Sequence, residues 1–192
     1  MQTSTEFETP VLEVIKTRRS RRAYSSQPIE PEKIKSLFEA ARWAPSSNNE
    51  QPWAYIYATK DQAELWSKLF DLLNDSNKSW VKDATLLVIS LARKNFVLNG
   101  KPNSLAKYDL GGANAFLTLQ ATGLGLNIHQ MGGYDHQRAF ANLNIPDDYE
   151  LGAMMAIGYT GDVEQLPENL KQRELAPRQR YVQEEFVMNK TF

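Results

Sequence analysis

Between Arg18 and Arg22 the chain packs four guanidinium groups and one hydroxyl into five residues, Arg18-Arg19-Ser20-Arg21-Arg22. Such density suits an anion with paired oxygens, above all a phosphate, because the planar fork of arginine matches it. A solvated basic patch or a nucleic-acid contact would use the same residues. A second pair, Arg178 and Arg180, sits near the other end of the chain and would alone read as surface. The stretch Pro45-Ser46-Ser47-Asn48-Asn49-Glu50-Gln51-Pro52 crowds hydroxyls, amides and backbone N–H groups into a loop fixed by prolines. That chemistry can cradle a phosphate or the polar edge of a heterocycle, and it also makes ordinary turns. No Ser-His-Asp set or paired carboxylates stand out. The chain has no cysteine, so thiol catalysis, disulfides and iron–sulfur ligation are excluded and redox chemistry would need a borrowed cofactor.

The elements that must position these residues follow from periodicity. Thr9-Pro10 predicts a helix start, with Val11, Val14 and Ile15 on one face and the arginine run directly after it. Pro31 opens a second helix carrying Ile34, Leu37, Phe38 and Ala41, which stops before Pro45. Trp53 to Ala58 reads as a strand, and Leu65, Leu69, Leu72 and Leu73 mark a third helix. Ala84 to Leu91 is nearly all apolar and β-branched, which predicts a strand buried on both faces at the centre of a sheet. From Tyr108 to Gly123 small and apolar residues recur without one clean polar face, predicting a helix buried nearly all round, in part by a partner subunit. Leu126 to Gln130 and Leu151 to Ile157 read as two more strands, with a short helix around Arg138 to Leu143 between them. The tail from Pro167 to Phe192 is polar and weakly patterned, and is expected to wrap over something. The fold class expected is α+β, with a mixed, mainly antiparallel sheet covered by helices in one domain spanning residues 1–192.

With these features in this order, the chain resembles the nitroreductase family of FMN enzymes. Arg18-Arg19-Ser20-x-Arg22 is similar to the family's first FMN segment, and Pro45 to Trp53 to its Pro-Ser-Ser-x-Asn-x-Gln-Pro-Trp loop. Asn77, six residues before Asp83-Ala84, falls where an FMN-contacting asparagine is expected. Asp109-x-x-Gly112-Ala113 through Leu126 resembles the central dimer helix, and Met131-Gly132-Gly133-Tyr134-Asp135 the loop that meets the flavin ring. The resemblance implies that Arg18, Arg19, Ser20, Arg178 and Arg180 contact the phosphate and ribityl chain, with Arg22 beside the N1/O2 edge of the ring. It implies that Asn77 pairs with the pyrimidine edge, and that the backbone N–H groups of Gly132 and Gly133 face N5 and O4. Pro45, Ser46, Ser47 and Asn49 would reach the flavin of the other subunit of a homodimer, and the C-terminal extension from about residue 167 would wrap the partner.

The implied activity is NAD(P)H-driven reduction of a nitroaromatic, quinone or enone with ping-pong kinetics. The flavin N5 does the chemistry, and no protein residue is catalytic. Reductive dehalogenation, flavin destruction, or a ligand-binding module without turnover would use the same cofactor site. The chain departs from the pattern at Gly132, where many members carry Glu, and in its short 94–107 insertion. Both bear on substrate range.

Other motifs lead elsewhere. Gly123-x-Gly125 lacks a third glycine and follows a helix, so it is no dinucleotide fingerprint. His129 and His136 lack a metal-spaced partner, so no metal is expected, and Trp43, Trp66 and Trp80 read as packing, with Trp80 placed to border the ring. With 22 Lys+Arg against 23 Asp+Glu the net charge is -1, so neither nucleic acid nor an anionic membrane is drawn in by a global field. No apolar run approaches a membrane span and no signal-peptide pattern opens the chain, so a cytoplasmic protein is expected. On that footing the sequons at Asn74, Asn77 and Asn189 are set aside.

Overall fold

The computed structural model describes residues 1–191. In chain order the elements are β1 (Thr3–Ser4), α1 (Glu13–Thr17), α2 (Pro31–Arg42), β2 (Trp53–Thr59), α3 (Ala63–Leu72), α4 (Asp75–Val81) and β3 (Leu86–Arg93). They continue with α5 (Ala106–Gly123), β4 (Asn127–Met131), α6 (His136–Leu143), β5 (Tyr149–Gly158), α7 (Glu168–Leu175) and β6 (Arg180–Tyr181). Four strands form one sheet in the order β2-β3-β5-β4, every pairing in it antiparallel, while β1 and β6 pair as a separate ribbon.

The sheet has helices on both faces, and β3 shows why its sequence is apolar throughout. Leu87, Ile89 and Leu91 point into one core with Leu69 and Leu72 of α3, Trp80 of α4 and Ala139 of α6. Leu86 and Val88 point into the other, against Leu37 of α2 and Ala113 and Leu117 of α5. A strand alternates its side chains between faces, so one covered on both sides keeps no polar register. β5 repeats the pattern, with Met154 and Ala156 in the first core and Met155 and Ile157 in the second.

Two expectations need correction. The helix predicted to start at Thr9-Pro10 begins instead at Glu13, where the carbonyl of Leu12 accepts the N–H groups of Ile15 and Lys16. The residues before it form an arm held by the tail: β1 pairs with β6, and the Gln183 N–H donates to Glu8 Oε2. These long-range pairings outweigh a local capping signal. Between α3 and β3 there is an unanticipated helix, α4, capped by Asn74, whose Oδ1 accepts the Asn77 N–H at 2.9 Å. Helix α5 is buried along Ala106, Leu110, Ala113, Leu117 and Ala121, but a single chain leaves Tyr108 80% and Phe116 42% exposed, with Gly111 and Ala115 beside them. Its all-round apolar composition therefore exceeds what its own chain covers. The tail, read as weakly patterned and expected to wrap over something, contains α7 and β6 and lies along its own N-terminal arm.

Candidate active site

The arginine segment is held at both ends. Arg18 ends α1. Beyond Arg22, the buried Tyr24 donates its hydroxyl to the Ala156 carbonyl at 2.9 Å and bridges to Thr160. The Gly161 N–H donates to the Ala23 carbonyl at 3.0 Å, and a Cβ on Gly161 would lie 2.3 Å from the Tyr24 backbone, so the close approach requires glycine.

Onto this segment the tail is fastened by two reciprocal arginines. Arg19 Nη2 donates to the Ala176 carbonyl at 2.6 Å, while Arg178 Nη1 donates to the Arg18 carbonyl at 2.6 Å and its Nη2 to the Lys16 carbonyl. Arg18, Arg19, Ser20, Arg178 and Arg180 thereby line one pocket of about 220 Å³, together with Arg173, which the sequence reading missed. Arg18 Nη1 donates to Ser20 Oγ at 3.2 Å. Burial lowers the Arg18 pKa, and the neighbouring charges of Arg178, Arg180 and Arg19 lower it further. Cations that depress one another around a pocket create a strong local attraction for an anion in a chain with no global field.

Arg22 points elsewhere. Its guanidinium carbon lies 5.8 Å from the centroid of Trp80, a cation–π contact, and Trp80 packs against His129 with ring centroids 4.6 Å apart. His129 Nδ1 is 3.1 Å from the Arg21 carbonyl, which can only accept, so the proton sits on Nδ1 and the ring fixes the backbone beside Arg22. Burial, then the Arg22 charge, push the His129 pKa down from 6.5 to about 4. A base with a lowered folded pKa takes up its proton more readily when unfolded. His129 therefore removes stability as pH falls from about 6.5 toward 4, on the order of 3 kcal/mol in all. Thermal unfolding across that window is expected to show a steep acid loss in the wild type and a shallower one in His129→Gln. Parallel curves would remove His129 as the cause.

One turn along α4 from Trp80 is Asn77. Its Nδ2 donates to the Gly133 carbonyl at 3.0 Å, the same carbonyl that accepts the Asn74 N–H at 3.1 Å. A Cβ on Gly133 would meet Asn74 Nδ2 at 2.4 Å, so glycine allows the loop after β4 to close on α4. Met131 is buried at the end of β4, whereas Gly132 is exposed with open space where a Cβ would stand. A cleft of about 570 Å³ lies here, its lining including Asn74, Gly132 and Gly133, the cations Lys78 and Arg138 and the carboxylates Asp71, Asp75 and Asp135.

The Pro45 loop is built separately. The buried Asp109, in the first turn of α5, accepts the Ser47 N–H at 3.1 Å, and Ser46 Oγ accepts the Gln51 N–H at 3.0 Å. Asn48, Asn49 and Gln51 all adopt positive φ, at 52°, 56° and 51°. Three non-glycine residues in the left-handed region within four positions is strain of the kind that gathers at ligand-binding loops. This loop opens β2, and Gly132 follows β4. Those strands are the two edges of the sheet, separated by β3 and β5, a span of about 14 Å at ordinary strand spacing. The arginine pocket and the Gly133 cleft share no lining residue; contacts run between them from Glu174 to Arg22, from Arg22 to Trp80 and, one turn along α4, from Asn77 to Gly133, while Pro45, Ser46, Ser47 and Asn49 stand at the opposite edge of the sheet.

The sequence profile of the Nitroreductase family matches residues 15–159, most of the chain. The chain belongs to the nitroreductase family. Among solved structures, an oxidoreductase containing FMN superposes with a TM-score of 0.92 at 34% identity, covering 100% of this chain and 98% of that one. A nitroreductase family protein from Clostridium difficile 630 superposes with a TM-score of 0.72 at 26% identity, covering 96% and 100%. A protein of Archaeoglobus fulgidus named "Putative NADH dehydrogenase/NAD(P)H nitroreductase" is 28% identical over 155 residues, 79% of this chain and 86% of its own. Among the described residues no helix is long and apolar enough to cross a membrane. Within the nitroreductase fold, sequence reading missed Arg173, Glu174, Asn74 and the tilted His129–Trp80 contact, and only the Asn74 cap had a local signal.

Proposed function

We propose that this nitroreductase is an FMN-dependent NAD(P)H oxidoreductase, active as a homodimer, that reduces a small organic acceptor such as a nitroaromatic, quinone or enone. The observation that carries the reading is the anion pocket lined by Arg18, Ser20 and Arg180, from which side-chain contacts run through Glu174, Arg22 and Trp80 toward Asn77 and Gly133. The residues fit FMN. A crowded cationic pocket suits its phosphate, and an amide set against a glycine backbone suits a flat ring with a polar edge. Bound FMN supplies hydride acceptance and donation at N5.

Arg18, Ser20 and Arg180 would hold the phosphate, with Arg19 and Arg178 supporting them through the backbone and contributing their remaining N–H groups. Arg22 would set a fixed cation by the N1/O2 edge, where negative charge accumulates. Asn77 would orient the pyrimidine edge, and Met131, Gly132 and Gly133 would border the ring and let the backbone approach it. Pro45, Ser46, Ser47 and Asn49 would close the site from the partner subunit, and the exposed Tyr108–Phe116 face of α5, which its own chain leaves uncovered, would supply the interface. The tail, docked along its own chain, would continue from there over the partner. Donor and acceptor would use the same cleft in turn, which gives ping-pong kinetics.

Purified protein is expected to be a yellow dimer with about one FMN per chain, bleached anaerobically by NAD(P)H and recoloured by an acceptor. Colourless, monomeric protein that ignores added FMN would end this reading. Yellow protein that no nicotinamide bleaches would leave a binding module.

A further inference from the structure

Six arginines line the anion pocket, and Glu174 is the single carboxylate among its lining residues. Three of these arginines, Arg18, Arg19 and Arg21, belong to the segment after α1. The other three, Arg173, Arg178 and Arg180, arrive with the tail. Docking the tail therefore brings like charges together, and it happens at the one place where the tail also carries a buried acid.

Glu174 reaches into the segment, its side chain only 2% exposed. Oε2 accepts the Arg22 N–H at 2.9 Å, and Oε1 lies 3.9 Å from Arg21 Nη1 with no hydrogen bond of its own. Its backbone carbonyl faces Arg19 Nη2 at 3.4 Å. A buried carboxylate is costly unless it meets cations, and here it meets them from the opposite element. The nearby acids of the arm and tail end are exposed and used otherwise, Glu8 by the Gln183 N–H and Glu185 by the Gln2 N–H.

We propose that Glu174 is a positioning residue, an internal counter-ion that keeps the tail docked on the arginine segment, and Arg22 in place, when no phosphate group is bound. The proposal rests on the reading of this pocket as a phosphate site. Its consequence is a coupling: with Glu174 present the tail docks with or without the anion, and without its charge docking depends on the anion.

The test is amide hydrogen exchange on the whole apoprotein, with and without saturating inorganic phosphate. The reporter is Val182, whose N–H donates to the Gln2 carbonyl across the arm. Glu174→Gln keeps an oxygen acceptor for the Arg22 N–H and removes only the charge. Without phosphate it is expected to lose about tenfold or more of the Val182 protection, and phosphate should restore it, while the wild type changes little. Removing a surplus cation as well, in Arg173→Gln/Glu174→Gln, is expected to recover much of the protection without phosphate.

Equal loss with and without phosphate would mean a merely structural role and overturn the proposal, as would no loss. Calorimetry of the wild type keeps the two readings apart. If it binds phosphate and FMN and the Glu174→Gln tail behaves as wild type, this inference alone fails. If it binds neither, both fail.

Discussion

Arg22→Ala is expected to slow reduction of bound FMN by NAD(P)H about a hundredfold while weakening FMN retention less than about tenfold, and Arg180→Ala to reverse that order. The physical basis is where the two guanidinium groups sit. Arg22 is absent from the lining of the anion pocket and lies over Trp80, toward the cleft of Asn77 and Gly133. A cation there interacts with charge that develops during reduction, and losing one such preorganised group costs about 10²–10³ in rate. Arg180 lines the pocket beside Arg18 and makes no contact toward the cleft. Its own Nη1 bond is to the neighbouring Gln179 carbonyl at 2.7 Å. A charge-assisted phosphate contact contributes about 2 kcal/mol, so its loss weakens FMN about thirtyfold and leaves the reduction rate of the remaining holoenzyme nearly unchanged. Equilibrium titration and stopped-flow reduction of both variants measure the split. Tight binding in Arg180→Ala with slow reduction, and the converse in Arg22→Ala, would exchange the two roles.

How far such a site can be read from sequence depends on how local its causes are. The burial of β3 was legible because both faces of one strand are covered, a fact written into eight consecutive residues. The arginine run was legible as chemistry because its density is local. The tail was not, because its order comes from partners about 160 residues away, Arg178 on the Arg18 carbonyl and Arg19 on the Ala176 carbonyl. One of four glutamates in a polar tail, Glu174 carries no mark that it will be buried beside arginines. Pro10 shows the converse error, a correct local rule overridden by the pairing of β1 with β6. The α4 helix shows a local signal that was present and passed over, since Asn74 followed by Asp75 in the first turn is a capping pattern.

A mixed dimer carrying Ser47→Leu in one subunit and Asn77→Leu in the other is expected to bind about one FMN per two chains with wild-type affinity, although each variant alone binds FMN at least about a hundredfold more weakly. The expectation follows from the sheet order. Ser47 sits on the loop before β2 and Asn77 on α4, bonded to the Gly133 carbonyl beyond β4, at opposite edges of β2-β3-β5-β4. A loop pinned to Asp109 at its start and paired into β2 at its end has no slack to cross that width. If it serves a flavin, it serves one held by another copy, and the uncovered face of α5, into whose first turn Asp109 fastens the loop, is where that copy would sit. In the mixed dimer one site then combines the intact loop with the intact cleft, while the other takes both lesions. Were each site built from one chain, the same dimer would hold two singly damaged sites and no tightly bound FMN. Counting flavin on purified, doubly tagged heterodimer separates the cases by a factor that no loss of stability can imitate, because a destabilised loop or cleft weakens binding in every combination.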